Sequence, residues 1–217
     1  MKTQDNGDKE KEKMTFTLEQ IKDAVKAKGY KWFESGIFNL NIVGIRNSET
    51  GSEITNKFDD LITVSYKTDK DTWVYWEADC TTDPGKHWAE NLFNPNGVAI
   101  LVPGQYRKSH TIGKHKGKYL ALKQCGKVKV YRDDNRNANY DLNPRSIQEG
   151  LFGINIHRAS ATGTSKQINK WSAGCQVIAD NIKFDEFMSL AEEAAEHWGD
   201  LFTYTLIESK DVKDETV

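Results

Sequence analysis

The chain has 217 residues, 37% of them apolar and 29% charged, with six Trp, eight Tyr and nine Phe. That is material for one sizeable domain, and the aromatic supply excludes a wholly disordered chain. A formal net charge of −2 excludes a uniformly basic or acidic surface as the means of finding a partner.

Residues 1–14 are polar and alternate in charge, which predicts a flexible tail. They lack the apolar core of a signal peptide, and no apolar run reaches membrane-spanning length. The expectation is a chain without a membrane span that acts in a cytosol, is released by other means, or starts after a removed leader. Residues 15–37 form an N-terminal helical segment. Thr17 can cap a helix, Gln20 stands where a capping box needs it, and Gly29 can end it. Ile21, Ala24, Val25 and Lys28 share one face.

From Phe38 the pattern changes to short strands: FNLNIVGIR, DLITVSYK, TWVYWEAD, GVAILVPG, YLALKQ and KVKVYR, then GLFGINIHR as a seventh. Turn residues bound them and several alternate apolar with polar, which predicts a β-rich sandwich or barrel. Trp73, Tyr75 and Trp76 read as core residues of an alternating strand. Then FDEFMSLAEEAAEHWG predicts a helix whose stripe is Phe184, Phe187, Ala191, Ala194 and Trp198, with Gly199 ending it and His197 structural. LFTYTLIE closes the domain as a strand. The class is mainly β with flanking helices. One domain spans 38–208, followed by a C-terminal tail at 209–217.

Between Asn91 and Arg132 there is no acidic residue, while Arg107, Lys108, Lys114, Lys116, Lys118, Lys123, Lys127, Lys129 and Arg132 are cationic. Two readings stand: lysines guarding sheet edges, or a surface for an anionic polymer such as cell-wall material or nucleic acid. DDNRNANYD sets Asp133, Asn135, Asn137, the Asn139 carbonyl and Asp141 on a calcium-loop template, but Ala138 replaces the turn glycine and Pro144 the final Glu. An Asx-rich turn is the better reading. His110 and His115 have no third ligand nearby in sequence, so no metal is expected.

Three cysteines, Cys80, Cys125 and Cys175, form no C-x-x-C. A Cys80–Cys125 bond with Cys175 free, and three free thiols, both fit. Cys175 ends the run INIHRASATGTSKQINKWSAGC, in which His157 closes a predicted strand and, after fourteen intervening residues, come Ser172, Ala173, Gly174 and Cys175. An imidazole within reach of a thiol holds it as a thiolate ion pair and later returns a proton to a leaving amine. Gly174 permits a tight turn, and the N–H groups of Gly174 and Cys175 are candidates for an oxyanion site. Ser172 orients the imidazole or braces the turn. The plainer alternative is a buried core cysteine beside an ordinary strand-end histidine.

At His157, Ser172, Gly174 and Cys175 the sequence resembles the L,D-transpeptidase catalytic-domain family, whose signature is a histidine, a spacer of this length and Ser/Thr-His-Gly-Cys. TTDPG, NPNGVAILVPG and the final helix and strand fit its order of elements more loosely, over roughly 38–208. The resemblance implies an L,D-transpeptidase-like sandwich or barrel and a cysteine acyl-transferase acting on peptidoglycan stem peptides at the cell envelope. It implies no cofactor, with nucleic acid not the expected partner and a monomer expected. Ala173 stands in place of the family's second histidine, and Gln176-Val177 in place of polar or arginine-bearing positions. A cation for the substrate carboxylate would then come from elsewhere, Arg158 being nearest. Trp171, Gln176 and His87 are the other expected substrate contacts. A peptidoglycan hydrolase on the same fold, phage lytic in one version, and a non-catalytic cell-wall-binding or structural module are the alternatives.

Overall fold

The structure is a computed structural model that describes residues 14–92, 94–137 and 139–212. The expected N-terminal tail, apart from Met14, therefore lies outside the described residues, as do Ala138 of the Asx-rich loop and positions 213–217. Helix α1 (Leu18–Ala27) begins as its sequence dictates: Thr17 accepts from the Gln20 N–H, and the Gln20 side chain accepts from the Thr17 N–H. It buries Ile21, Ala24 and Val25, whereas Lys28 leaves that face and pairs with Asp211 at 2.9 Å.

The strands are β1 (Asn41–Arg46), β2 (Asp60–Lys67), β3 (Trp73–Thr81), β4 (Val98–Leu101), β5 (Gly104–His115), β6 (Tyr119–Gln124), β7 (Val128–Asp133), β8 (Gln148–Gly150), β9 (Ile156–Arg158), β10 (Gln176–Ile178) and β11 (Leu201–Glu208). Helix α2 (Lys86–Glu90) follows β3, and α3 (Asn181–Trp198) precedes β11. Eight strands close a barrel in the order β1-β11-β5-β6-β9-β10-β3-β2, and β4-β7-β8 form a separate small sheet. The molecule is mainly β with flanking helices, and no helix among the described residues is long and apolar enough to cross a membrane.

Both faces of β1 and most of β2 are covered, so β2 buries Asp60, Thr63 and Ser65 along with its apolar residues. On one face Ile42, Ile62, Val64, Tyr204 and Leu206 join the main core with Phe184, Phe187 and Ala191 of α3. On the other, Val43, Ile45, Leu61 and Ile207 receive α1. Val212 joins this second cluster behind a 3-10 turn at Ser209–Asp211, so 209–212 are folded rather than tail.

Strand β5 was not expected: its lysines and polar residues mask a twelve-residue strand that crosses from β11 to β6. Since β5 has a neighbour on each side, its lysines do not guard an edge. The predicted strand 150–158 is broken, because Gly153 turns with φ +74°: Gly150 ends β8 against Val128, and pairing resumes only at Ile156–Arg158. Helix α3 starts earlier than predicted, at the N-cap Asp180, which accepts from the Ile182 and Lys183 N–H groups. Trp198 leaves the apolar stripe, half exposed, and donates to the Ile37 carbonyl. His197 stacks on Phe38, in keeping with a structural role.

The β6–β9 seam is singular. One ladder pair, Leu122 with Ile156, joins these strands. Side chains supply the rest: Asn155 Oδ1 accepts from the Gln124 N–H, and Gln124 Oε1 accepts from the N–H groups of Phe152 and Ile154.

Candidate active site

Cys175 sits one residue before β10, on a turn that Ser172 organises. The Ser172 hydroxyl donates to the Cys175 carbonyl at 2.7 Å and accepts from the Gly174 N–H at 3.1 Å. Of the two roles expected for Ser172, bracing the turn is therefore the observed one. Gly174 has φ +132°, and a side chain there would overlap the Ala99 carbonyl oxygen of β4. From the other side the Gly85 N–H donates to the Ser172 carbonyl at 2.8 Å, so the TTDPG segment supports the turn.

Gln176 does not face a substrate. It is 1% exposed, and its side-chain amide donates to the carbonyls of Thr82 and Gly174 while accepting from the Tyr204 hydroxyl at 2.8 Å. Its polar groups are spent tying the turn to the barrel core. Beside it lies a buried charge network in which Arg46 donates to Thr82 and pairs with Asp83 at 2.9 Å. Asp60 accepts from Asn47 and twice from Thr82. Burial outweighs the pull of Arg46 on Asp83, whose carboxyl is raised to about 7.

His157 reaches the cysteine through strand pairing. Parallel β9 and β10 set His157 opposite Val177, so Cys175 falls beside Asn155. Strand alternation carried one residue past the ladder, where the Gln176 N–H still donates to the Asn155 carbonyl, would set Cys175 and His157 on one face, about 8 Å apart at Cα. The Nδ1 atom of His157 lies 2.7 Å from the Arg158 carbonyl. A carbonyl only accepts, so Nδ1 carries the proton and Nε2 is left as the base. The Tyr119 hydroxyl donates to the same carbonyl at 3.3 Å.

Two residues that sequence reasoning missed complete this side. His115, from the β5–β6 hairpin, stacks on His157 with centroids 4.1 Å apart, and Asn155 donates to its Nδ1 at 3.2 Å. The signal for His115 was its place in the basic run KHKGKY, but nothing local told that the hairpin lies over β9.

The electrostatics correct one expectation. Burial, then the neighbouring His115 and Lys116, lowers His157 to about 3. Burial and Lys116 and Lys123 lower His115 to about 4. Burial raises the Cys175 thiol above its ordinary range, against the opposing pull of the Asn155 N–H and Lys116. The resting pair is thus a neutral thiol and a neutral imidazole, not the expected ion pair. The thiol donates to the Gly153 carbonyl at 3.2 Å, and among the described residues no hydrogen bond joins it to His157. Of the expected oxyanion donors, the Gly174 N–H is consumed by Ser172, while the Cys175 N–H bonds no described residue.

The remaining expected contacts divide. Arg158 lies 4.5 Å over the Tyr119 ring and 4.0 Å from Asp185, close to His157 but already partnered. Trp171 is exposed on the loop before Ser172, and His87 on α2 lies edge-on to Trp88. Neither lines the cleft of about 310 Å³ that opens beside the turn, bounded by Trp88, Val98, Ala99, Arg132, Phe152 and Ala173. All three cysteines are free thiols, which decides between the two arrangements. In the Asx-rich loop the side-chain oxygens of Asp133, Asn135 and Asn137 accept backbone N–H groups two residues on. Among the described residues no group of three metal-type side chains gathers. His110 is buried and bonded to the Ile154 carbonyl. No family model, no curated protein and no solved structure matches the chain.

Proposed function

We propose that this protein is a cysteine-dependent acyl transferase acting on peptidoglycan stem peptides at the cell envelope, in the manner of the L,D-transpeptidases it resembles at His157, Ser172, Gly174 and Cys175. The observation that carries the reading is the β9–β10 pairing, which sets His157 one diagonal step from Cys175 with its Nδ1 held by the Arg158 carbonyl. Cys175 is half-buried as a residue, and its turn is braced by the Ser172 hydroxyl and by the Gly85 N–H.

In this reading the thiol attacks the carbonyl at the L-centre of the donor while His157 Nε2 accepts its proton. The developing oxyanion is met by the Cys175 N–H, the one amide of the expected pair that the turn leaves uncommitted. Collapse breaks the C–N bond, the imidazolium protonates the departing D-amino acid, and a thioester remains on Cys175. An acceptor amine, or water in the hydrolytic variant, attacks the thioester and gives its proton back through His157 to the sulfur. Water exclusion at the thioester decides between the two acceptors.

The test is intact mass after exposure to a carbapenem, with turnover of a tetrapeptide muropeptide followed in parallel. A single adduct, lost in Cys175→Ala together with turnover, is expected. An unmodified wild-type thiol with no turnover refutes the enzymatic reading, and turnover that survives Cys175→Ala refutes the nucleophile.

A further inference from the structure

The cleft beside the Cys175 turn contains a cation with no acidic partner among the described residues. Arg132, on β7, spends one N–H on Gln148 Oε1 at 3.0 Å and one on the Gly97 carbonyl at 3.1 Å. A guanidinium has five N–H donors, so three have no acceptor among the described residues. Arg46 is paired with Asp83 and Arg158 lies near Asp185, but no ion pair reaches Arg132 among the described residues. Partial burial alone acts on this guanidinium, lowering its pKa with no carboxylate to offset the cost. Such a group stays charged and suits a bidentate carboxylate.

Its position connects it to the nucleophile from two sides. The guanidinium carbon lies 4.9 Å over the Phe152 ring, and the next residue, Gly153, holds the Cys175 thiol through its carbonyl. Ala173, two residues before Cys175, lines the same cleft with its small side chain. Trp88 and Val98 supply apolar wall, so the cleft combines one fixed cation with surface for an aliphatic peptide.

We propose that this cleft is the acyl-donor subsite and that Arg132 binds a carboxylate of the donor peptide, an assignment that rests on the acyl-transfer reading. It replaces Arg158 as the carboxylate-binding group. A stem peptide offers that chemistry at its C-terminus, on the D-glutamate and on diaminopimelate, so the experiment must separate these sources.

Titration calorimetry on the full chain carrying Cys175→Ala, with and without Arg132→Gln, would use L-Ala-γ-D-Glu-meso-diaminopimelate-D-Ala and three analogues, each amidated at one of those carboxylates. The parent peptide should bind Arg132→Gln ten-fold or more weakly, and Arg132→Lys should recover part of the loss. One analogue should bind the Arg132 protein as weakly as the parent binds Arg132→Gln, with no further loss in that variant, and so identify the carboxylate. Equal affinity of the parent for both proteins, with unchanged thermal midpoints, overturns the assignment. Turnover by Cys175 enzyme with KM unaltered in Arg132→Gln removes the subsite and leaves acyl transfer standing. Arg132-dependent binding without turnover by the wild type leaves the subsite and removes acyl transfer.

Discussion

Replacing Gly174 by Ala tests the geometry of the Cys175 turn most directly. The residue is held at φ +132°, where an L side chain is strained by about 1–3 kcal/mol. The added Cβ would also overlap the Ala99 carbonyl oxygen and come within 3.2 Å of Ile154 Cδ1. Overpacking of that kind costs about 1–3 kcal/mol more, because β4 is paired with β7 and cannot simply withdraw. A combined loss of about 3 kcal/mol lowers the unfolding midpoint by about 6–12 °C for a chain of this size. The comparison variant is Gly163→Ala, at φ +66° with nothing within 4 Å, which isolates the backbone term. Both are melted side by side by circular dichroism. A Gly174→Ala midpoint within about 2 °C of Gly163→Ala would refute the argument, since the Ala99 contact would then have yielded at no cost.

Alkylation of Cys175 by iodoacetamide, measured in a Cys125→Ser background, should rise only above the ordinary thiol range, with no plateau between about pH 5 and 8, because both partners rest neutral and burial raises the thiol; a plateau there would establish an ion pair. His110 donates its Nε2–H to the Ile154 carbonyl at 2.8 Å, and burial lowers it to about 4 from an ordinary 6.5. A folded pKa below the unfolded one gives stability that is present above pH 6.5 and lost as pH falls toward 4, on the order of 3 kcal/mol. Urea unfolding at pH 7 and pH 4.5 should therefore show a smaller acid loss in His110→Gln than in wild type, and equal losses would refute the linkage.

Much of the barrel could be read directly from residue order, and the exceptions have physical causes. Strands β2, β6 and β11 coincide with the segments predicted from the sequence, DLITVSYK, YLALKQ and LFTYTLIE. Strand β5 escaped because a lysine-rich stretch reads as surface, and its pairing with β11 is interrupted by a register shift opposite Phe202–Tyr204. Strand β10 escaped because three residues after a turn carry no periodicity. At the site, the His157–Cys175 spacing could be read in the sequence because one parallel pairing joins the two segments. His115 and Arg132 could not, since they arrive from β5 and β7, whose placement depends on sheet order rather than on any local pattern. Gln176 was misread for a related reason: a polar residue beside a candidate nucleophile suggests substrate, yet Thr82, Gly174 and Tyr204 take up its side-chain amide.

The β6–β9 seam gives the barrel a property that a continuous ladder lacks. Backbone pairing is much the same whatever the side chains, but this closure depends on the amides of two residues, Gln124 and Asn155. The stiffness of the wall carrying His157 is thus written in side chains and can be retuned by substitution without altering a reactive group. Asn155 also holds the His115 ring and flanks the thiol, so any change in the fastening reaches the histidine stack and the cysteine together.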